Sequence, residues 1–83
     1  MSGLDPMAQR VVEIVAAVMN ADPARLDRAD SPDTIAAWDS LRHVQLVLAI
    51  EEAFALQFAV EDIEGMGTVG AVIAAVRRRA PGA

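Results

Sequence analysis

Cysteine is absent from the 83 residues, so a disulfide scaffold, a thiolate zinc site and a cysteine nucleophile are all excluded. A single histidine, His43, rules out any scheme that needs two imidazoles. Aromatic residues make up only 4% of the chain and tyrosine is missing, while seventeen residues are alanine. Alanine is the best helix former and aromatics favour strands, so the composition leans all-α before any pattern is read. Basic residues are scarce, seven against twelve acidic, for a net charge of −5. That is the wrong sign for a phosphate-backbone binder, and nucleic acid is not an expected partner. Apolar runs such as Leu46-Val47-Leu48-Ala49-Ile50 fall far short of the ~20 residues of a membrane span. Met1 to Pro6 lacks a basic start followed by an apolar stretch, so no secretory signal is expected and the cytoplasm is the expected location. The length admits one domain, 1–83, with a core over about 5–78 and a frayed tail at 79–83.

What is present is periodic. Met7, Val11, Ile14, Val15 and Val18 fall on one face of a helix over 6–19. Asp5 then Pro6 is a start signal, and Asn20 a stop. Residues 20–39 carry turn chemistry (Asp22-Pro23, Asp30-Ser31-Pro32, Asp33-Thr34), with room for one helical turn at 22–26. A second helix begins at Asp39-Ser40 and runs to about Ala55. Its apolar residues Leu41, Val44, Val47, Leu48, Ile50 and Phe54 form a face wide enough to touch two or three other helices. Arg42, Gln45, Ala49 and Glu52 form the opposite stripe. One acidic turn follows at 60–64, ended by Gly65. The last helix has Thr68 as its N-cap, Val69, Val72, Ile73 and Val76 as its buried stripe, and Arg77, Arg78 and Arg79 at the negative end of its dipole. The expected architecture is a small all-α four-helix bundle: three main helices, one short helix and a long first loop.

Charge is unevenly spread. Residues 1–38 carry net −3, residues 39–64 net −5 and residues 65–83 net +3. The middle segment could steer basic partners, or serve only as a solvated surface.

Ser40 opens the most amphipathic helix. A serine there is ordinarily a cap. A helix N-terminus also favours a phosphate, because free N–H groups and the positive dipole end point at it, so a phosphodiester would be well placed. The surrounding residues Trp38-Asp39-Ser40-Leu41, Val44, Leu46-Val47, Ile50-Glu51-Glu52, Phe54, Phe58, Glu61-Asp62-Ile63-Glu64 and Thr68-Val69 resemble the Asp-Ser-Leu region of acyl carrier proteins and related phosphopantetheine-binding domains. The resemblance implies that Ser40 carries 4′-phosphopantetheine from coenzyme A, which would supply the thiol the chain lacks. It implies a carrier without catalysis of its own, holding acyl or aminoacyl groups as thioesters. Its implied partners are a phosphopantetheinyl transferase, a loading enzyme, and synthase or transferase domains, with the carrier itself a monomer. By the same resemblance Asp39, Leu41, Arg42, Gln45, Leu48, Glu52, Glu61, Asp62 and Met66 are candidate partner-recognition positions, while capping for Asp39 and plain core for Leu41, Leu48 and Met66 are the alternatives.

Departures from that pattern bear on the pathway. Ala37 stands where a glycine is common, and Arg42 and Gln45 stand where acids are common. With Trp38, they make the chain look more like stand-alone carriers of specialised metabolism, polyketide-type or aminoacyl, than like housekeeping fatty-acid carriers. Peptidyl carriers usually show a glycine pair before the motif, which is absent. His43, three residues past Ser40, reads either as a modulator near the arm or as a partly exposed helix residue. Trp38 reads as packing at the loop–helix junction or as a partner contact. Asp30-Ser31, followed by Pro32, starts no amphipathic helix and is not expected to be modified. Two other functions compete. A serine hydrolase would need a downstream histidine that does not exist; an unmodified helical adaptor would use the same faces without a prosthetic group.

Overall fold

The computed structural model describes residues 5–79. Four α-helices occur in the order α1 (Pro6–Met19), α2 (Ser40–Phe54), α3 (Val60–Glu64) and α4 (Val69–Arg79), with one 3-10 turn at Pro23–Arg25 in the first loop. The bundle is all-α, as the composition and periodicity lead one to expect.

Each helix starts and stops for local reasons. Asp5 accepts the Ala8 amide at 2.8 Å ahead of Pro6, and Asn20 ends α1 in the left-handed region at φ 55°. Asp39 accepts the Arg42 amide at 2.8 Å and opens α2. Ala55 ends α2 at φ 53°, a left-handed position usually given to glycine. Thr68 Oγ1 accepts the Ala71 amide at 3.1 Å and opens α4.

α1 packs against α2 and α4. The core is built from short branched side chains: Val11 and Val15 of α1, Leu46 and Ile50 of α2, and Val69, Val72 and Val76 of α4 are all at 0% exposure. The long first loop is tied down in its middle. Asp27, Asp30 and Thr34 hydrogen-bond among themselves and to the loop backbone. The loop carbonyls of Asp30 and Arg28 then accept the Val69 and Gly70 amides at 3.0 and 2.9 Å, satisfying the first turn of α4. A Cβ on Gly70 would stand 3.3 Å from the Arg28 carbonyl oxygen, tighter than an ordinary contact, so glycine eases this close approach.

Three expectations are corrected. The apolar face of α2 is not wholly buried: Leu41, Val44 and Leu48 are 66%, 55% and 59% exposed. Periodicity marks an apolar stripe, but the neighbours of α2 cover only its Leu46, Val47 and Ile50 side. Asp62 is not on the outer acidic face. It is buried, accepts the Ala59 amide at 2.9 Å across the first turn of α3, and pairs with Arg78 at 3.0 Å and Arg79 at 2.7 Å. Arg79 accordingly ends α4 in an ion pair instead of opening a frayed tail; the remainder of that tail, 80–83, lies outside the described residues.

The Asp62 carboxyl is lowered from 3.8 to about 2, first by the Ala59 amide and then by the Arg78 and Arg79 side chains. A lowered folded-state value means that the ionised clamp contributes in full above pH 3.8. That contribution is lost as pH falls from 3.8 towards about 2, where the unfolded chain binds the proton first. Urea unfolding of wild type and Asp62→Asn over that range should show the wild-type advantage shrinking as the pH drops. Ala55→Gly should raise stability by roughly 1 kcal/mol in the same assay at neutral pH, because it relieves a left-handed alanine.

Candidate functional site

Ser40 is exposed at the first position of α2. Asp39, immediately before it, spends its carboxylate on the Arg42 amide, and its carbonyl accepts the His43 amide at 2.9 Å. The Ser40 hydroxyl has no hydrogen bond among the described residues. Ser31, the other serine among them, accepts the Asp33 amide at 3.1 Å and sits in a turn. The positive end of the α2 dipole and its first free amides therefore face an uncommitted hydroxyl.

An open cleft of about 520 Å³ lies beside that hydroxyl, lined by Pro32, Trp38, Asp39, Ser40, His43, Ile63, Glu64 and Met66. Trp38 and Met66 form its floor, at 3% and 1% exposure. The Trp38 indole N–H donates to His43 Nδ1 at 3.0 Å, and the two rings stack at 19°. His43 Nε2 lies 3.2 Å from the Ile63 carbonyl. An indole nitrogen only donates, so Nδ1 is the acceptor and the ring proton sits on Nε2, pointing at Ile63. Both nitrogens are thereby engaged, which leaves no free imidazole to act as base for Ser40 in hydrolysis. This cross-link between loop, α2 and α3 is a feature that sequence reading missed. Trp38 and His43 are five residues apart, but Ile63 is reached only across the bundle.

The other candidate positions divide in two. Leu41, Gln45, Leu48 and Glu52 are exposed along the length of α2, and Glu61 is exposed on α3. Met66 is core, yet lines the cleft. Arg42 is half-buried, and its guanidinium donates to the Val18 carbonyl, closing the end of α1 rather than offering charge to a partner. Glu51 is also turned inward, accepting the Phe58 amide at 2.9 Å and holding the α2–α3 connection. Asp62 is withdrawn into its arginine clamp. The outward carboxylates on this side are therefore Glu52, Glu61 and Glu64.

A helical bundle that commits its histidine to structure and leaves a serine hydroxyl free beside an open cleft has the parts of a carrier, not of a hydrolase. Comparison with known proteins agrees. Residues 9–76 match the family described as phosphopantetheine attachment site. The chain is 32% identical over 77 residues to an acyl carrier protein of Phenylobacterium zucineum (strain HLK1), covering 92% of this chain and 96% of that protein. It is also similar to the solution structure of holo acyl carrier protein from Geobacter metallireducens, with TM-score 0.79 and 28% identity over 90% of this chain and 86% of that one. The chain belongs to the phosphopantetheine-binding acyl carrier family, whose members carry groups without catalysing their conversion. The prosthetic group of that family is 4′-phosphopantetheine. The residues here fit it: a helix N-terminus suits its phosphate, and the Trp38–Ile63–Met66 cleft offers apolar surface alongside. No helix among the described residues is long and apolar enough to cross a membrane.

Proposed function

We propose that Ser40 is the attachment point of the arm, and that the chain presents acyl or aminoacyl thioesters to the enzymes of a specialised, polyketide-type pathway. The observation that carries this reading is the uncommitted Ser40 hydroxyl at the start of α2, beside the 520 Å³ cleft and inside the matched segment. In attachment by a phosphopantetheinyl transferase, the Ser40 oxygen bonds to the phosphorus that bears the pantetheine of coenzyme A. The pyrophosphate bond breaks, the adenosine bisphosphate leaves, and the hydroxyl proton passes to a base on the transferase. Once attached, the arm supplies the thiol on which cargo is held. The protein's own contribution is to hold Ser40 rigidly at a capped helix start and to offer surfaces for docking.

Those surfaces support a specialised role. Arg42 and Gln45 replace acids on α2, and Arg42 faces inward. The outer side of α2 is instead an exposed apolar stripe of Leu41, Val44 and Leu48, leading to Glu52, with Val60 and Glu61 across the groove on α3. Partners that recognise this carrier would read apolar surface first and charge at its rim.

Incubation with coenzyme A, magnesium and a broad-specificity phosphopantetheinyl transferase should raise the intact mass by one phosphopantetheine, and Ser40→Ala should abolish the gain. A chain that stays unmodified with several transferases would favour the unmodified adaptor. Charge reversal at Glu52 or Glu61 should slow modification several-fold at low salt and much less at high salt, measured as the initial rate of mass gain. Equal slowing at all salt concentrations would place these residues in folding instead of steering.

A further inference from the structure

His43 joins three parts of the molecule at once. It stands in the first turn of α2, its Nδ1 accepts the Trp38 indole N–H from the long loop, and its Nε2 lies 3.2 Å from the Ile63 carbonyl of α3. Trp38, His43 and Ile63 all line the Ser40 cleft, so these contacts set how the loop and α3 stand around the hydroxyl. The rest of the hold on α3 and its flanks comes from the Asp62 clamp, from Met66 in the core and from Glu51 on the Phe58 amide.

Only the neutral ring makes this bridge. An indole nitrogen donates and does not accept, so Nδ1 must offer a lone pair. A proton added at Nδ1 sets two donors against each other across 3.0 Å. Trp38 is 3% exposed and packed in the core, whereas His43 is half-buried, so the ring is the partner that gives way. Its departure breaks the Ile63 contact too and leaves the indole N–H unpaired.

The protonated ring has a partner of its own. The titratable side chains that line the spaces beside it are all acids: Asp39 and Glu64 in the cleft, and Glu51 in the groove between α2 and α3. Asp39 and Glu51 already accept the Arg42 and Phe58 amides. Glu64 is exposed and makes no ion pair among the described residues. The neighbouring charges Asp62 and Arg42 are taken up elsewhere, by the two arginines of α4 and by the Val18 carbonyl. The loop contributes Pro32 and Trp38, which carry no charge. One ring therefore has two arrangements, neutral between Trp38 and Ile63 or charged towards Glu64.

We propose that Trp38, His43 and Ile63 form a proton-sensitive latch: the neutral ring holds the loop and α3 around Ser40, protonation frees them, and Ser40 is modified faster with the latch shut. The latch is read from the contacts of His43, while its effect on modification rests on the reading of Ser40 as the anchor of the arm. His43 is a positioning residue and takes no part in the transfer itself.

The test begins on the unmodified chain. The sequence has one tryptophan, so its indole N–H gives a single proton resonance. Between about pH 8 and about pH 5, where histidines take up a proton, that resonance and the Ile63 amide should shift together with the His43 ring protons. In His43→Asn, whose amide oxygen accepts from the indole but does not titrate, the indole resonance should stay constant. A wild-type indole that ignores the titration of His43 would overturn the latch.

The initial rate of mass gain with coenzyme A, magnesium and a broad-specificity phosphopantetheinyl transferase is then compared for wild type and His43→Asn over the same range. The pH dependence of the transferase itself cancels in their ratio, which should fall several-fold towards acid. It should fall as far at high salt, where a charge gained by the ring no longer repels a basic enzyme. A fall confined to low salt, or a ratio constant with pH, would overturn the role of the latch in modification. Trp38→Phe removes the donor and keeps an aromatic ring, and supplies the same comparison where His43→Asn does not fold. A wild type that gains no mass at any pH overturns the Ser40 reading instead, and the spectra still decide the latch.

Discussion

Close packing of small branched side chains is the constraint on which the molecule depends. Val11, Val15, Leu46, Ile50, Val69, Val72 and Val76 share one core with no exposed surface, and Ile73 and Met66 complete it at 1%. Few aromatic side chains are available to fill space, so the helices must approach closely, as Ala8 and Ala75, both at 0%, allow. A chain of this size buries only a modest fraction of its surface, and its core alone leaves little surplus over conformational entropy. The arrangement is therefore completed at its edges, where several loop and helix-end groups meet partners from elsewhere in the fold.

Those edge contacts explain why the outer surface differs from what the charge pattern suggests. Arg77 reaches Asp5 at 2.5 Å, Arg78 and Arg79 share Asp62, Arg42 closes α1 at Val18, and Glu51 holds the Phe58 amide. Much of the charge is thus used internally. The Asp5 carboxyl is held below 3.8 by the Ala8 amide and then Arg77, a smaller counterpart of the Asp62 clamp. The positive C-terminal segment neutralises acids at two points of the bundle as well as facing the end of its own dipole. What remains outside is a restricted rim of Glu52, Glu61 and Glu64 around apolar side chains.

The site itself is simple because its demands are few. A carrier needs a reachable hydroxyl, a helix end that tolerates a phosphate, and freedom from side reactions. Asp39 supplies the cap, leaving Ser40 unencumbered. The histidine that might have made the serine reactive is bound at both nitrogens. The Trp38 ring that closes the loop against α2 also floors the cleft, so the same packing that orders the loop shapes the surroundings of the hydroxyl.

Helix positions, caps and the candidate serine were legible in the sequence because their causes are local. An N-cap acts over three residues, a proline over one turn, and an apolar stripe over successive turns of one helix. Asp5, Asp39, Asn20, Thr68 and the Val69–Val76 stripe all act at that range. The short α3 offered one further signal: an acid at the third helical position, which marks Asp62 as a residue able to reach back to the Ala59 amide. Which apolar residues of α2 would be covered, and which charges would be consumed, had no local cause. Val18 and Arg42 are 24 residues apart, His43 and Ile63 are 20 apart, and Asp5 and Arg77 are 72 apart. Such pairs exist only once the helices cross. The sequence by itself therefore determined the helices and the hydroxyl they present, while the tertiary structure decided the free surface and the bonding of His43, because both depend on distances between elements that no single helix contains.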